Sequence, residues 1–364
     1  MKKHFISIAL ILISSLGLAQ TQTVSPDNKM LVKEGRIVIN GSKAEYVYPG
    51  TSFSINFIGT KISAILKNNA GYYWVEIDDN TPFKLSTHNI NNNDEYQSYQ
   101  LAENLKNEEH KATITLISEG LFVKPAFYGF ETDEDAKLLK PEKSKLSIEF
   151  IGNSITCGYG VEAKGRDEHF ADSTSNFCKT YAYYTAQNIN AAKMVVARSG
   201  IGVYRNYADN PQGSLWPMSK VYFNTMITDT INKWDFSQFK ADIICIGLGT
   251  NDMSTAGYDI EKFTLTYIKF VKEVRAANKN AKIILLNSAM LDGNAAMDLY
   301  NAANNVCNAM RIIGDAKVYR YDFTAQDGAL GYGADSHPSA AQQRKMASQL
   351  TAFIKSNILQ NKEK

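Results

Sequence analysis

Five short apolar runs after residue 145 constrain this chain more than anything else in it. They read LSIEFIG, AKMVVAR, ADIICIGL, AKIILLNS and AKVYRYD. Each has the length and β-branched content of a strand. Helical patterns separate them, among them IEKFTLTYIKFVKEVRAAN and NAAMDLYNAANNVCNAMRIIG. Strands that are apolar on both faces need cover on both faces, and strands joined through helices run parallel. The expectation for 146–358 is an α/β fold: a parallel five-stranded sheet between two helical layers. Ligands of such sheets sit beyond the carboxyl ends of the strands. Gly152-Asn153-Ser154 follows the first strand, Ser199-Gly200-Ile201-Gly202 the second and Gly249-Thr250-Asn251-Asp252 the third. All three loops should therefore open on one rim.

The preceding half has a different grammar. YVYPGTSFSINFIGTKISAILKN, YYWVEIDD and HKATITLIS alternate or are β-branched, and Gly, Asn and Pro punctuate them. No strong amphipathic helix interrupts them, which predicts an antiparallel β-sandwich over 24–135. The charged, proline-bearing stretch that follows, 136–145, reads as a linker. At the start, MKKHFISIALILISSLGLAQ has two lysines, an apolar run too short to favour a membrane span, and small residues before a cut after Ala19. Residues 1–19 are thus expected to be a secretory signal, giving a secreted or periplasmic protein without membrane insertion.

Charge and cysteines exclude several classes. The chain has 39 Lys+Arg and 37 Asp+Glu. Lys2 and Lys3 fall in the leader, so the mature chain is balanced and has no electrostatic footprint for nucleic acid. The four cysteines, Cys157, Cys178, Cys245 and Cys307, form no metal-ligand pattern, and neither a metal nor a cofactor is expected. Cys245 and Cys307 read as buried thiols. Cys157 and Cys178 flank a loop, and an exported protein permits a disulfide between them.

Serine-based acyl transfer needs a base for the hydroxyl proton and donors for the oxyanion. Ser154 ends the first strand. His337 lies in GYGADSHPSAAQQRKMA, where Pro338 and the Ser339…Gln342 pair suit a helix start. Taken singly, Ser154 is a turn residue, Asn251 a helix cap, His337 a surface histidine, and Gly200 and Gly202 turn glycines. Four suitable groups in order, each after a strand of the sheet, form a stronger pattern than any one of them.

That pattern resembles the SGNH (GDSL-type) hydrolases, with GNSIT, RSGIGVYRN, GTND and DSHPS as the four blocks. The N-terminal segments PGTSFSINFIGTKISAIL, VEIDD, HKATITLISE and FYGFETD resemble the jelly-roll domain of carbohydrate esterase family 2. The resemblance implies Ser154 as nucleophile and His337 as base. It implies three oxyanion donors: the Ser154 N–H, a glycine N–H after strand two (Gly202, with Gly200 second) and the Asn251 amide. It also implies O-acetyl groups on xylan- or glucomannan-type saccharides as substrate. One departure is that the family's acid position holds Ala334, with Asp335 only two residues before the histidine. Either Asp335 orients the ring or a backbone carbonyl does. Trp216, Tyr204, Arg205 and Asn206 are candidates for sugar contacts, with Tyr207 beside them. A monomer is expected. The competing readings are an esterase for another acyl substrate and a carbohydrate-binding protein with a degenerate hydrolase domain.

Overall fold

The computed structural model describes residues 21–90 and 94–360; the expected signal segment lies outside them. In the N-terminal half, alternation translates directly into two faces. Ser52–Gly59, Ile62–Lys67 and Tyr72–Ile77 bury every second residue. Those residues, including Phe53, Phe57, Ile62, Leu66 and Val75, join Ile114 of Glu108–Leu116 in one core between two antiparallel sheets. One sheet runs Val38–Asn40, Lys43–Glu45, Ala126–Asp133, Ile62–Lys67, Tyr96–Ala102, with Thr21–Val24 paired to Ala126–Asp133. The other runs Lys137–Leu139, Ser52–Gly59, Glu108–Leu116, Tyr72–Ile77, Phe83–Ser86, with Val32–Glu34 on Ser52–Gly59. Part of the expected linker is therefore a strand. Lys137–Leu139 pairs with Asn56–Ile58 and covers an edge that would otherwise present open backbone groups.

In the second half the apolar runs form five parallel strands: β1 (Leu146–Gly152), β2 (Ala191–Ala197), β3 (Ile243–Gly247), β4 (Lys282–Asn287) and β5 (Val318–Asp322), in the order β2-β1-β3-β4-β5. Strand order reverses at β1, so the crevice for a ligand lies where the loops after β1 and β3 diverge. Helices α1 (Ser154–Cys157), α2 (Tyr181–Asn188), α3 (Thr250–Met253), α4 (Ile260–Ala277), α5 (Gly293–Ile312) and α6 (Ala340–Phe353) accompany the sheet. Two apolar clusters fill its faces, and both recruit sandwich residues: Val47 and Tyr48 on one side, Ile117 on the other.

Cys157 and Cys178 are both buried free thiols, which corrects the open disulfide. The Cys157 thiol lies against Glu119, whereas that of Cys178 faces Thr115 and Tyr183. Cys245 and Cys307 are buried thiols as expected.

Candidate active site

Strand β1 is buried from Ile148 to Gly152 and stops where Asn153 turns the chain, its side-chain oxygen accepting the Ile155 N–H at 3.1 Å. Ser154 is thereby the first residue of α1, and its N–H has no acceptor within the helix. Gly158 closes α1 in the left-handed region, φ 82°, as helix ends of this kind require. Gln343 of α6 fastens the turn from outside by donating to the Ile155 carbonyl at 2.9 Å. The expected cap of α6 is present, with Ser339 Oγ accepting the Gln342 N–H.

His337 stands just before that helix, and its Nε2 is 2.8 Å from Ser154 Oγ. Its Nδ1 is 3.0 Å from the Ala334 carbonyl, which also accepts the His337 backbone N–H. A carbonyl can only accept, so Nδ1 carries the proton and Nε2 offers its lone pair to the serine hydroxyl. Burial holds the imidazole below its ordinary pKa, so the ring is neutral at neutral pH.

Asp335 does not orient the histidine. Asp335 and Ser336 both lie in the left-handed region, at φ 48° and 59°, and this turns the carboxylate outward. It accepts from Tyr159 Oη at 2.6 Å and pairs with His169 Nδ1 at 2.8 Å. These contacts hold its pKa below the usual carboxylate range, the Tyr159 hydroxyl most strongly. Tyr159 in turn stacks on His337, with ring centroids 4.1 Å apart. Asp335 makes no hydrogen bond to the imidazole; it acts on it through its charge and through Tyr159, a residue not singled out from the sequence.

The loop after β2 is built around Asp252 of α3. Its buried carboxylate accepts the N–H groups of Val203, Tyr204 and Arg205 at 2.9, 2.9 and 3.0 Å. Burial outweighs these donors and pushes its pKa up to about 6. Asn251 lies beside it, and its Nδ2 donates to the Ile201 carbonyl at 2.8 Å while the second amide hydrogen stays available. The two glycines separate clearly. The Gly202 N–H is buried and donates to Asn206 Oδ1 at 3.2 Å. The half-buried Gly200 N–H donates to no protein acceptor among the described residues. Of the two glycines, Gly200 is the one whose N–H is left without a protein acceptor, whereas the sequence favours Gly202.

Three of the residues expected to contact sugar make hydrogen bonds within the protein. Tyr204 is buried, and its hydroxyl accepts the Asp259 N–H at 2.8 Å. Arg205 is buried, its guanidinium bonded to Asp209, Thr255 and Ala256. Asn206 links Gly202 to the Trp216 carbonyl. Trp216 and Tyr207 remain about half exposed. A groove of about 220 Å³ opens along Trp216, Arg198, Ile227 and, from the sandwich, Leu121.

Residues 148–350 match the family model of GDSL-like lipases and acylhydrolases, and 33–141 match the carbohydrate esterase 2 N-terminal domain. A family two carbohydrate esterase from Clostridium thermocellum, solved with cellohexaose, superposes with a TM-score of 0.82 at 31% identity, over 90% of this chain and 99% of that one. The chain belongs to carbohydrate esterase family 2. Its curated relatives include the cellulase/esterase CelE of Acetivibrio thermocellus, 32% identical over 93% of this chain. The chain spans 41% of that protein's length. Another is an acetylxylan esterase / glucomannan deacetylase of Cellvibrio japonicus, 29% identical, covering 85% of this chain and 84% of the relative. In this member of family 2, the serine and histidine are in contact, and a backbone carbonyl rather than a carboxylate faces the imidazole Nδ1.

Proposed function

We propose that the protein is an exported serine esterase that removes O-acetyl groups from xylan- or glucomannan-type saccharides. The observation that carries this reading is the 2.8 Å contact between Ser154 Oγ and a neutral His337 whose tautomer is fixed by the Ala334 carbonyl. His337 takes the hydroxyl proton as Oγ attacks the acetyl carbonyl carbon. The tetrahedral oxygen meets the N–H groups of Ser154 and Gly200 and the free amide hydrogen of Asn251. Collapse breaks the bond to the sugar oxygen, which receives the proton from His337. Water then attacks the acetyl-serine, His337 taking its proton and returning one to Ser154 as acetate leaves. Trp216 and Tyr207 offer aromatic faces for the sugar ring. The activities named for the Cellvibrio relative support acetylated xylan and glucomannan as the substrate class.

Acetate release from acetylated xylan and glucomannan, alongside hydrolysis of acetyl and longer-chain p-nitrophenyl esters, tests the reading. Release by wild type and none by Ser154→Ala is the expected result. Preference for the longer esters would assign another acyl substrate, and no release from any ester by the folded wild type would favour a binding protein.

A further inference from the structure

We propose that Glu119, carried by the sandwich, is a positioning residue for the oxyanion donors, an inference that rests on the serine-esterase reading above. Two of those donors belong to separate pieces of backbone, the Ser154 N–H to α1 and the Gly200 N–H to the loop after β2. Gly200 has φ 76°, and a Cβ built there meets only Tyr207, at 3.9 Å. Side-chain packing therefore adds little at the glycine, which has the widest conformational freedom of any residue. Backbone bonds hold it on two sides. Its carbonyl accepts the Tyr207 N–H at 2.8 Å on the far side, and on the near side, which leads to the Gly200 N–H, Glu119 Oε2 accepts the Ser199 N–H at 2.9 Å.

The same carboxyl lies against the Cys157 thiol, on the helix that Ser154 begins, with Arg198 supplying positive charge nearby. The Ser199 hydroxyl sits beside both without reaching either at hydrogen-bonding geometry. Glu119 thus bonds the backbone of the loop after β2 and lies beside a side chain of the helix that carries Ser154. It is itself held on both sides. The Ile117 carbonyl accepts the Phe177 N–H at 3.0 Å, and the Gly120 N–H donates to the Val47 carbonyl at 2.8 Å. A Cβ at Gly120 would stand 2.6 Å from Pro125, so the segment is closely packed there. The donor geometry of the hydrolase half is completed by an acceptor from the sandwich.

The test compares Glu119→Gln, whose amide oxygen can still accept the Ser199 N–H, with Glu119→Leu, which keeps the bulk and removes the acceptor. Steady-state hydrolysis of p-nitrophenyl acetate is measured for both, with circular dichroism to establish folding and Ser154→Ala in parallel. The Leu variant is expected to lose about 10- to 100-fold in kcat, less than deleting a donor outright. KM should stay within about twofold, and the Gln variant should keep most of the wild-type kcat. If the Leu variant does not fold, Glu119→Asp, whose carboxylate is withdrawn by one methylene, should lower kcat at unchanged KM. A Leu or Asp variant with wild-type kcat, a Gln variant as impaired as Leu, or a loss confined to KM would overturn the proposal. Activity in Ser154→Ala would instead sink the esterase reading beneath it.

Discussion

At Ser154, a hydroxyl becomes a nucleophile only if the imidazole beside it is neutral and correctly tautomerised. The Ala334 carbonyl supplies the tautomer and burial supplies the neutrality. Because the folded pKa of His337 is depressed, the base is lost only as pH falls below the ordinary histidine range. The acid limb of kcat/KM is therefore expected to have its midpoint below 6.5, the reference value for His. A midpoint above it in a pH–rate profile would contradict this protonation state. Two residues of the DSHPS block differ in what their loss should cost. His337→Ala should lose at least about 10²–10⁴ in kcat as the base disappears. Asp335→Ala should lose less than about tenfold, because the carboxylate makes no hydrogen bond to the ring nitrogen, unlike a triad acid. The positions of Ser154, Asn251 and His337 at the rim were legible because motif spacing and strand ends place them. The role of Asp335 was not, because it depends on the sign of φ at two consecutive non-glycine residues, which spacing does not specify.

Elements decide what single residues in the loop after β2 can do. Three consecutive N–H groups converge on the Asp252 carboxylate, so the chain closes into a tight cup that leaves no room at Gly202. A Cβ there would stand 1.9 Å from the Arg205 carbonyl oxygen, whereas one at Gly200 is unobstructed. Gly202→Ala should destabilise by about 1–3 kcal/mol or more through overpacking and cost activity as the cup opens. Gly200→Ala should cost about 1–2 kcal/mol for its left-handed backbone while keeping the N–H. Thermal unfolding and kcat of the two variants check the contrast, and equal behaviour would refute it. Sequence reasoning ranked these glycines by their distance from the strand end, which cannot reveal that Asn206 already occupies one N–H. The signal for Asp252 was present in the GTND block, but its three partners lie about fifty positions earlier in the chain and meet it only in the fold. Strands and helices of the sheet were the most legible part, because continuous apolar runs and 3.6-residue periodicity report burial directly.

Across the whole molecule, the sandwich is part of the hydrolase rather than an appendage. Arg36 leaves the sandwich, is fully buried, and pairs with Glu149 of β1 at 3.2 Å. Its guanidinium also donates to the Tyr222 and Asn224 carbonyls and lies over the rings of Tyr222, Trp234 and Phe236. Lys193–Glu34 and Lys84–Glu162 pairs and the Tyr183–Glu76 hydrogen bond add further ties between the halves. Arg36→Met should cost about 3–5 kcal/mol, since it strands a buried carboxylate, whereas adding Glu149→Met should recover much of the loss. Urea unfolding of the single and double variants measures this, and a double variant no better than the single would contradict it. The partition into two halves was legible from the change of pattern at Leu146. Their union was not, because an arginine in a β-rich segment carries no sign that its partner lies on a strand 113 positions away. The central claim, an acyl-enzyme on Ser154, is tested most directly by rapid quenching of the wild type during turnover of p-nitrophenyl acetate, followed by peptide mass mapping. An acetyl group is expected on the peptide carrying Ser154 and none there in Ser154→Ala, which should not turn over. Turnover that continues in Ser154→Ala, or an acetyl group trapped on another residue, would contradict it.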